Sequence, residues 1–308
     1  MQAMTKKVLP FTFRGIAGLV LLAPIAMGAI GGTWRAAPTL HNDKRVVRDR
    51  LHSRNNRNQE DYSFLNAVGA VWSDDIKKSA AGYSASTGFL IDPCHVLTNM
   101  HAVYTDEIVV NAAVGQSVTF AVGQTEGEGN RGALQGLKFL LSGVVIAHGD
   151  ALIVDHIVHN PENDWALIRL VRNADASITP LTIATVSIAQ LPRNLPLSIA
   201  GFPADRRELR GDQFNLKDLW GSDGQLVGVV WASTVGAVIE STVQATRGNS
   251  GGPLYGDFNG QKHIVIGMHQ GIRGNGIDVS DSTPNVQLFF TSRTLASIRT
   301  AETLTPCQ

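Results

Sequence analysis

The stretch that decides the fold reads Thr246-Arg247-Gly248-Asn249-Ser250-Gly251-Gly252-Pro253. A serine with glycines on both sides lies on a tight turn, where its hydroxyl is unobstructed. Gly248 permits backbone conformations closed to other residues, so that two main-chain N–H groups can converge on one point. Taken alone, the stretch is equally consistent with a Gly/Pro turn at the surface between two strands. Partner residues elsewhere in the chain therefore decide between the two interpretations.

Two other stretches supply the groups that would activate such a serine. A serine hydroxyl needs a base to accept its proton, and the base needs an acid to orient it. The apolar run Val96–Val103 contains His101, and Asp164 stands just ahead of the apolar run 166–170. The order histidine, aspartate, serine, with long separations that let three loops meet, is a known order of a catalytic triad. We therefore predict His101 as base, Asp164 as orienting acid and Ser250 as nucleophile.

Together these motifs resemble the trypsin/chymotrypsin-fold serine endopeptidases. The resemblance is carried by Leu97-Thr98-Asn99-Met100-His101, Asn163-Asp164-Trp165-Ala166-Leu167 and Gly248-Asn249-Ser250-Gly251-Gly252-Pro253. The motifs Gly201-Phe202-Pro203 and Ile266-Gly267-Met268-His269 are most similar to the bacterial glutamyl-endopeptidase-like branch, and the likeness covers roughly residues 83 to 298. The resemblance implies an all-β fold of two six-stranded antiparallel β-barrels. It also implies hydrolysis of peptide bonds through an acyl-enzyme intermediate.

The resemblance assigns further roles around the serine. The backbone N–H groups of Gly248 and Ser250 would form the oxyanion hole. Asn249 stands where trypsins have an aspartate that pairs with a newly exposed N-terminal amine. An amide cannot form that ion pair, which argues against activation by this route. A catalytically silent relative that binds peptides or proteins is the alternative to an active enzyme. A serine esterase is disfavoured, because the nucleophile-elbow hydrolases place serine first in the chain order.

The resemblance also bears on which peptide bonds would be cut. In the resembling branch, a histidine at the position of His269 helps to bind a glutamate side chain that precedes the cleaved bond. A donor or cation that faces a carboxylate makes physical sense. Ala245 stands where a supporting Ser or Thr is expected and cannot donate, whereas Arg247 could supply positive charge. We expect acidic residues before the cleaved bond, with a structural strand histidine as the alternative for His269.

Composition and patterning predict how the chain is divided. Glycine is abundant, with 31 residues, and aromatic residues make up 6%, as in turn-rich all-β proteins. We expect the first barrel at about 63–172, including a hairpin around Gly149-Asp150, and the second at about 180–300. The whole trypsin-like domain would cover 63–308. A short terminal helix is expected at Ser292 to Thr300, with Ser292 as its cap. The strands expected in the second barrel are 197–200, 225–232, 238–243, 264–269 and 287–291.

The N-terminus has the form of an export signal over residues 1–31. Lys6, Lys7 and Arg14 give a positive start, and residues 15–34 carry no charge. A membrane anchor is the alternative, because about 20 uncharged residues can just span a bilayer. The arginine-rich residues 32–62 are expected to be a linker or propeptide. We expect a secreted or periplasmic protein with no stable membrane association once the signal is removed.

Charge and cysteine content limit the possible partners. The 26 basic residues balance the 26 acidic residues, which argues against nucleic-acid binding. Cys94 and Cys307 are either free buried thiols or a disulfide, and export to an oxidising compartment favours the disulfide. His156 and His159 are three residues apart in or beside a strand and face opposite sides, so no metal site is predicted. We expect a monomer that acts on polypeptides and needs no cofactor.

Overall fold

The computed structural model describes most of the chain beyond residue 61. The described residues are 46–47, 62–73, 85–103, 114–124, 134–135, 137–154, 157–203, 209–210, 213–215, 219–233, 235–246, 248–272 and 285–308. The predicted signal segment, most of the predicted linker or propeptide, and Arg247 lie outside these ranges. His156 lies outside them as well.

The first barrel consists of six antiparallel strands. They are β1 Val68–Ser73, β2 Ser86–Leu90, β3 His95–Thr98, β4 Ser117–Gln124, β5 Leu137–His148 and β6 Ala166–Leu170. They pair in the order β6-β3-β2-β1-β4-β5, and β5 pairs with β6 to close the barrel. Valine, phenylalanine and other β-branched or large apolar residues dominate these strands, because such side chains pack well on a pleated, half-buried surface. Phe89, Phe120 and Leu167 are among the fully buried side chains.

The second barrel is also built from six antiparallel strands. They are β7 Pro196–Gly201, β8 Trp220–Ala232, β9 Ala237–Ser241, β10 Pro253–Phe258, β11 Gln261–Ile272 and β12 Asn285–Phe289. They pair in the order β8-β7-β10-β11-β12-β9, and β9 pairs with β8 to close the barrel. The prediction of two six-stranded antiparallel barrels is confirmed.

Shorter elements lie outside the two barrels. The pair Val46–Val47 adds to the edge of β8 opposite Trp220 and Gly221. The other short strands are Leu134–Gln135, Leu209–Arg210 and Gln213–Asn215 in one sheet, and Leu152–Val154 with Ile157–His159 in another. Single 3-10 turns cover Ser63–Ala67, Met100–Ala102, Pro161–Asn163 and Ile188–Gln190. Within the described residues, no helix is long and apolar enough to cross a membrane.

Three local predictions are corrected by the structure. The hairpin around Gly149-Asp150 is wrong, because β5 is already paired with β4 and β6, and Leu152–Val154 pairs with Ile157–His159 instead. The strand β10 was not expected, because it begins at Pro253, directly after the glycine-rich turn that carries Ser250. The cap of the terminal helix is Thr291 rather than Ser292.

The terminal helix α1, Ser292–Leu304, is fastened to the first barrel. The hydroxyl of Thr291 accepts a hydrogen bond from the Thr294 N–H at 3.2 Å, which satisfies one of the free donors of the first turn. Ile298 is fully buried in the core cluster that fills the first barrel. The helix α1 therefore covers one side of that barrel.

A disulfide joins Cys94, in the turn between β2 and β3, to Cys307 after the helix. The Asp92 carboxylate and the His95 ring lie around it, and all four side chains have donor atoms within 4.8 Å of one another. Arg169 on β6 donates to the carbonyl of Thr305 at 3.2 Å. The C-terminal tail is thus held to the first barrel by a covalent bond and by hydrogen bonds.

Candidate active site

The loop between β9 and β10 carries Ser250 and depends on two glycines. Gly248 has φ of 90° and Gly251 has φ of 80°, values that residues with a side chain rarely adopt. At Gly251, space is also limiting, because a Cβ there would lie 2.1 Å from the Thr87 carbonyl oxygen and 2.3 Å from the Thr98 hydroxyl. Only glycine lets the serine loop approach the first barrel this closely.

Thr87 on β2 ties this loop to both barrels. Its N–H donates to the Ser250 carbonyl at 2.8 Å, and its hydroxyl donates to the Gly248 carbonyl at 2.7 Å. The same hydroxyl oxygen accepts the Phe202 N–H at 3.1 Å, and the Thr98 hydroxyl donates to the Thr87 carbonyl at 2.7 Å. Ser250 is therefore held against β2, which pairs with β3, the strand that leads to His101. Thr87 was not singled out from the sequence.

His101 and Asp164 come together through strand register. β3 and β6 are antiparallel with Thr98 opposite Ala166, so the residues just beyond β3 and just before β6 meet at the same end of the barrel. The His101 Nδ1 lies 2.6 Å from the Asp164 Oδ2, and the His101 N–H donates to Oδ1 at 3.0 Å. A carboxylate only accepts, so the proton is on Nδ1 and Nε2 is left with a lone pair. A histidine in this state can take up a proton.

Two amide side chains position the fully buried Asp164. Gln270 Nε2 donates to its Oδ2 at 3.2 Å and to the Pro161 carbonyl at 2.7 Å. Asn99 Nδ2 donates to the Asp164 main-chain carbonyl at 2.8 Å. Asn99 lies inside a motif that the sequence reasoning quoted, but neither residue was assigned a role. The only available signal for Gln270 was its place directly after His269.

His269 lies on β11 directly beside the serine loop. Its N–H donates to the Gly252 carbonyl at 2.8 Å, and its carbonyl accepts the Gly251 N–H at 2.9 Å. The side chain is only 1% exposed, and Nδ1 lies 3.3 Å from the Gln287 Oε1. Burial lowers the pKa of His269 to about 3, against the opposing effect of the Gln287 hydrogen bond, and the positive charge of a protonated His101 lowers it further. The ring is neutral at neutral pH.

The other predicted positions differ in their surroundings. Ala245 is fully buried in the apolar core of the second barrel, where it packs in the same cluster as Ile239 and Leu254. It brings no polar side-chain group to the site. Asn249 is also buried, and its Oδ1 has no hydrogen-bond partner among the described residues. Its amide leaves this position without charge.

Comparisons with known proteins agree with this architecture. The family model for Trypsin matches residues 67–288, well over half of the chain. Among solved structures, a Glu endopeptidase in complex with MPD has a TM-score of 0.52 and 18% identity, and the match covers 86% of this chain and 99% of that one. An inactive form of the Rv3671c protease has a TM-score of 0.44 and 15% identity, with 79% of this chain and 90% of that one covered. A mutant of Rv3671c from M. tuberculosis H37Rv has a TM-score of 0.44 and 16% identity, and the match covers 80% of this chain and 91% of that one.

No curated protein sequence matches the chain significantly. At 18% identity, the likeness to the Glu endopeptidase shows the fold. The predicted trypsin/chymotrypsin-type fold is confirmed by the two closed barrels and by the family match. This chain belongs to the trypsin family.

Proposed function

We propose that this protein is a serine endopeptidase with Ser250 as nucleophile, His101 as general base and acid, and Asp164 as the orienting acid. Membership of the trypsin family implies polypeptide substrates. The observation that carries the proposal is the 2.6 Å contact between His101 Nδ1 and the buried carboxylate of Asp164. That contact leaves a lone pair on Nε2, and the serine loop is bound to β2, which pairs with the strand that leads to His101.

The proposed reaction has two halves. Nε2 of His101 takes the hydroxyl proton of Ser250 while the oxygen attacks the peptide carbonyl carbon. Asp164 stabilises the imidazolium that forms. The C–N bond then breaks, His101 gives the proton to the leaving amine, and the acyl group stays on Ser250. Water repeats the sequence and releases the acid, while the N–H groups of Gly248 and Ser250 stabilise each oxyanion.

For the cleavage site, we propose that His269 contacts the side chain that precedes the cleaved bond and that acidic side chains are preferred. The position of His269 beside Gly251 and Gly252, next to Ser250, supports this. Ala245 brings no polar group to this contact, and Arg247 is proposed as a peripheral positive charge.

Export is the last part of the proposal. The uncharged N-terminal run after Lys6, Lys7 and Arg14 supports a signal, and the Cys94–Cys307 disulfide fits an oxidising compartment. Fractionation of the producing cells and N-terminal sequencing of the mature protein test it. Recovery of an unprocessed chain in the cytosol would contradict export.

A peptide library digested by the purified protein tests activity and preference together. We expect cleaved products whose new C-termini are enriched in Glu and Asp, identified by mass spectrometry. The matched control is Ser250→Ala, which should leave the library intact. An intact library with the wild-type protein, or equal cleavage by Ser250→Ala, would refute the proposed chemistry.

A further inference from the structure

We infer that Gln287 fixes the protonation of His269, and that cleavage after acidic residues therefore requires uptake of a proton by that ring. The inference rests on the proposed contact between His269 and the side chain before the cleaved bond. It adds Gln287 as a positioning residue for specificity and makes the preference depend on pH.

Three polar side chains on neighbouring strands of the second barrel are connected by hydrogen bonds. His269 on β11 and Gln287 on β12 are register partners, with Nδ1 3.3 Å from Oε1. Gln287 Nε2 donates to the Ser241 hydroxyl on β9 at 3.1 Å. Gln287 and Ser241 are fully buried, so water does not compete for these hydrogen bonds.

The donors and acceptors of these hydrogen bonds determine which ring nitrogen of His269 carries the hydrogen. An amide oxygen only accepts, so the nitrogen that faces it, Nδ1, carries the hydrogen. Nε2 then has a lone pair and no hydrogen. A lone pair accepts a hydrogen bond from the amide of a substrate glutamine. It cannot pair with a glutamate carboxylate, whose oxygens also only accept.

Burial, the largest effect, and the charge of a protonated His101 lower the pKa of His269 and keep the ring neutral, whereas the Gln287 hydrogen bond raises that pKa. Gln287 and Ser241 are uncharged, and the Gly251–Gly252 segment contributes main-chain groups only. Among the described residues, the titratable group that acts on the ring is His101, from the turn after β3, and its positive form opposes a second charge. Burial in the barrel also lowers the pKa of His269, which is about 3. Nε2 must therefore gain a proton when a glutamate binds.

This coupling gives a distinct pH dependence. Glutamate keeps its charge above about pH 4.3, so the proton has to come from solvent. The ratio of kcat/KM for a Glu substrate to that for the matched Gln substrate should rise as pH falls, by up to about tenfold per pH unit for one proton. Effects that the two substrates share cancel in the ratio.

Two fluorogenic peptides that differ only in Glu or Gln before the cleaved bond test the inference on the full chain from about pH 8 to about pH 5.5. We expect the ratio to rise steadily toward acid. A flat ratio, or one that rises toward alkaline pH, with both peptides cut, overturns the role of Gln287 and leaves the proposed protease intact. Failure to cut either peptide overturns the proposed function and the inference together.

The substitution Gln287→Glu tests the positioning role directly. A carboxylate beside Nδ1 stabilises the doubly protonated ring, so the Glu-to-Gln ratio at pH 8 should increase at least tenfold and become less dependent on pH. The matched control is Gln225→Glu, the same change at an exposed position of β8, which should keep the wild-type ratio. An unchanged ratio in Gln287→Glu overturns the inference.

Nitrogen NMR of the His269 ring in Ser250→Ala provides a readout that needs no turnover and no change at Gln287. We expect the Nδ1–H tautomer at neutral pH and no protonation until well below the ordinary range of histidine. An Nε2–H tautomer, or a ring that is charged at neutral pH, overturns the inference.

Discussion

The proposed chemistry of the site depends on the hydrogen bonds of a single buried carboxylate. Asp164 accepts from the His101 ring, from the His101 N–H and from Gln270. With three donors fixing its two oxygens, the carboxylate has one orientation, and the imidazole has one tautomer. Residues that only position other groups therefore have measurable kinetic consequences.

The substitution Gln270→Met keeps the volume of the side chain and removes the donor to Asp164. A hydrogen bond to a charged group contributes about 1.5–3 kcal/mol, so kcat should fall ~10- to 100-fold if the whole contribution is made in the transition state. KM should stay close to the wild-type value, since Gln270 is not proposed to touch substrate. A change in KM alone, with normal kcat, would show a merely structural role.

His269 also affects how stability depends on pH. Its folded-state pKa of about 3 lies below the ordinary 6.5, so between these values the unfolded chain binds a proton that the folded chain does not. Stability should therefore fall as pH drops through this window, by up to about 1.4 kcal/mol per pH unit from this residue.

Urea unfolding of wild type and His269→Gln at several pH values measures that contribution. The difference between the two curves cancels the other titrating groups. Wild type should lose more stability than the variant between neutral and acidic pH. Curves that run parallel across this window would contradict a neutral buried ring.

At the scale of elements, the site forms where one loop of the second barrel meets β2 and β3 of the first. The contact is close because Gly251 has no side chain, and Thr87 supplies hydrogen bonds to the loop on both sides of the serine. The position of Ser250 relative to His101 thus depends on main-chain contacts between the barrels.

A matched pair of glycine substitutions tests this contact. Gly251→Ala and Gly260→Ala place a methyl group at similar φ, 80° and 78°, but a Cβ at Gly260 meets nothing within 4 Å. Gly260→Ala should cost about 1–2 kcal/mol of stability through backbone strain and leave activity unchanged. Gly251→Ala should cost more and abolish turnover. Equal effects in denaturation and activity assays would contradict the proposed steric requirement.

At the scale of the whole molecule, the disulfide closes a loop that contains β3 to β12 and the terminal helix and leaves β1 and β2 outside it. It joins residues 213 positions apart, and the chain-entropy model gives such a link about 5 kcal/mol, less any strain. The bond lies at the turn before β3 and not at the triad. It should therefore affect stability far more than chemistry.

The double variant Cys94→Ser/Cys307→Ser tests this separation. We expect a fall of several kcal/mol in the free energy of unfolding, with kcat per folded molecule within about twofold of wild type. The free energy of unfolding of the wild-type protein, measured in the presence of a thiol reductant, should fall by a similar amount. A large loss of kcat under conditions where the double variant is fully folded would show that the C-terminal tail supports the site directly.

The parts of the site that sequence predicted are those with local signals. His101, Asp164 and Ser250 each lie in a short motif whose residue types imply a role, and the alternation of apolar residues predicted most strands. Gln270 and Gln287 carry no such signal, because their roles arise from strand register and from neighbours far away in the chain. The hairpin at Gly149-Asp150 failed for the same reason, since pairing with β4 and β6 outweighs a turn-like sequence.

The central claim is that Ser250 is a nucleophile activated by His101. Treatment of the full chain with a fluorophosphonate, followed by intact and peptide mass spectrometry, tests it most directly. We expect one adduct per chain, located on Ser250, and its loss in both Ser250→Ala and His101→Ala. An unlabelled wild-type protein, or labelling that persists in His101→Ala at the wild-type rate, would contradict it.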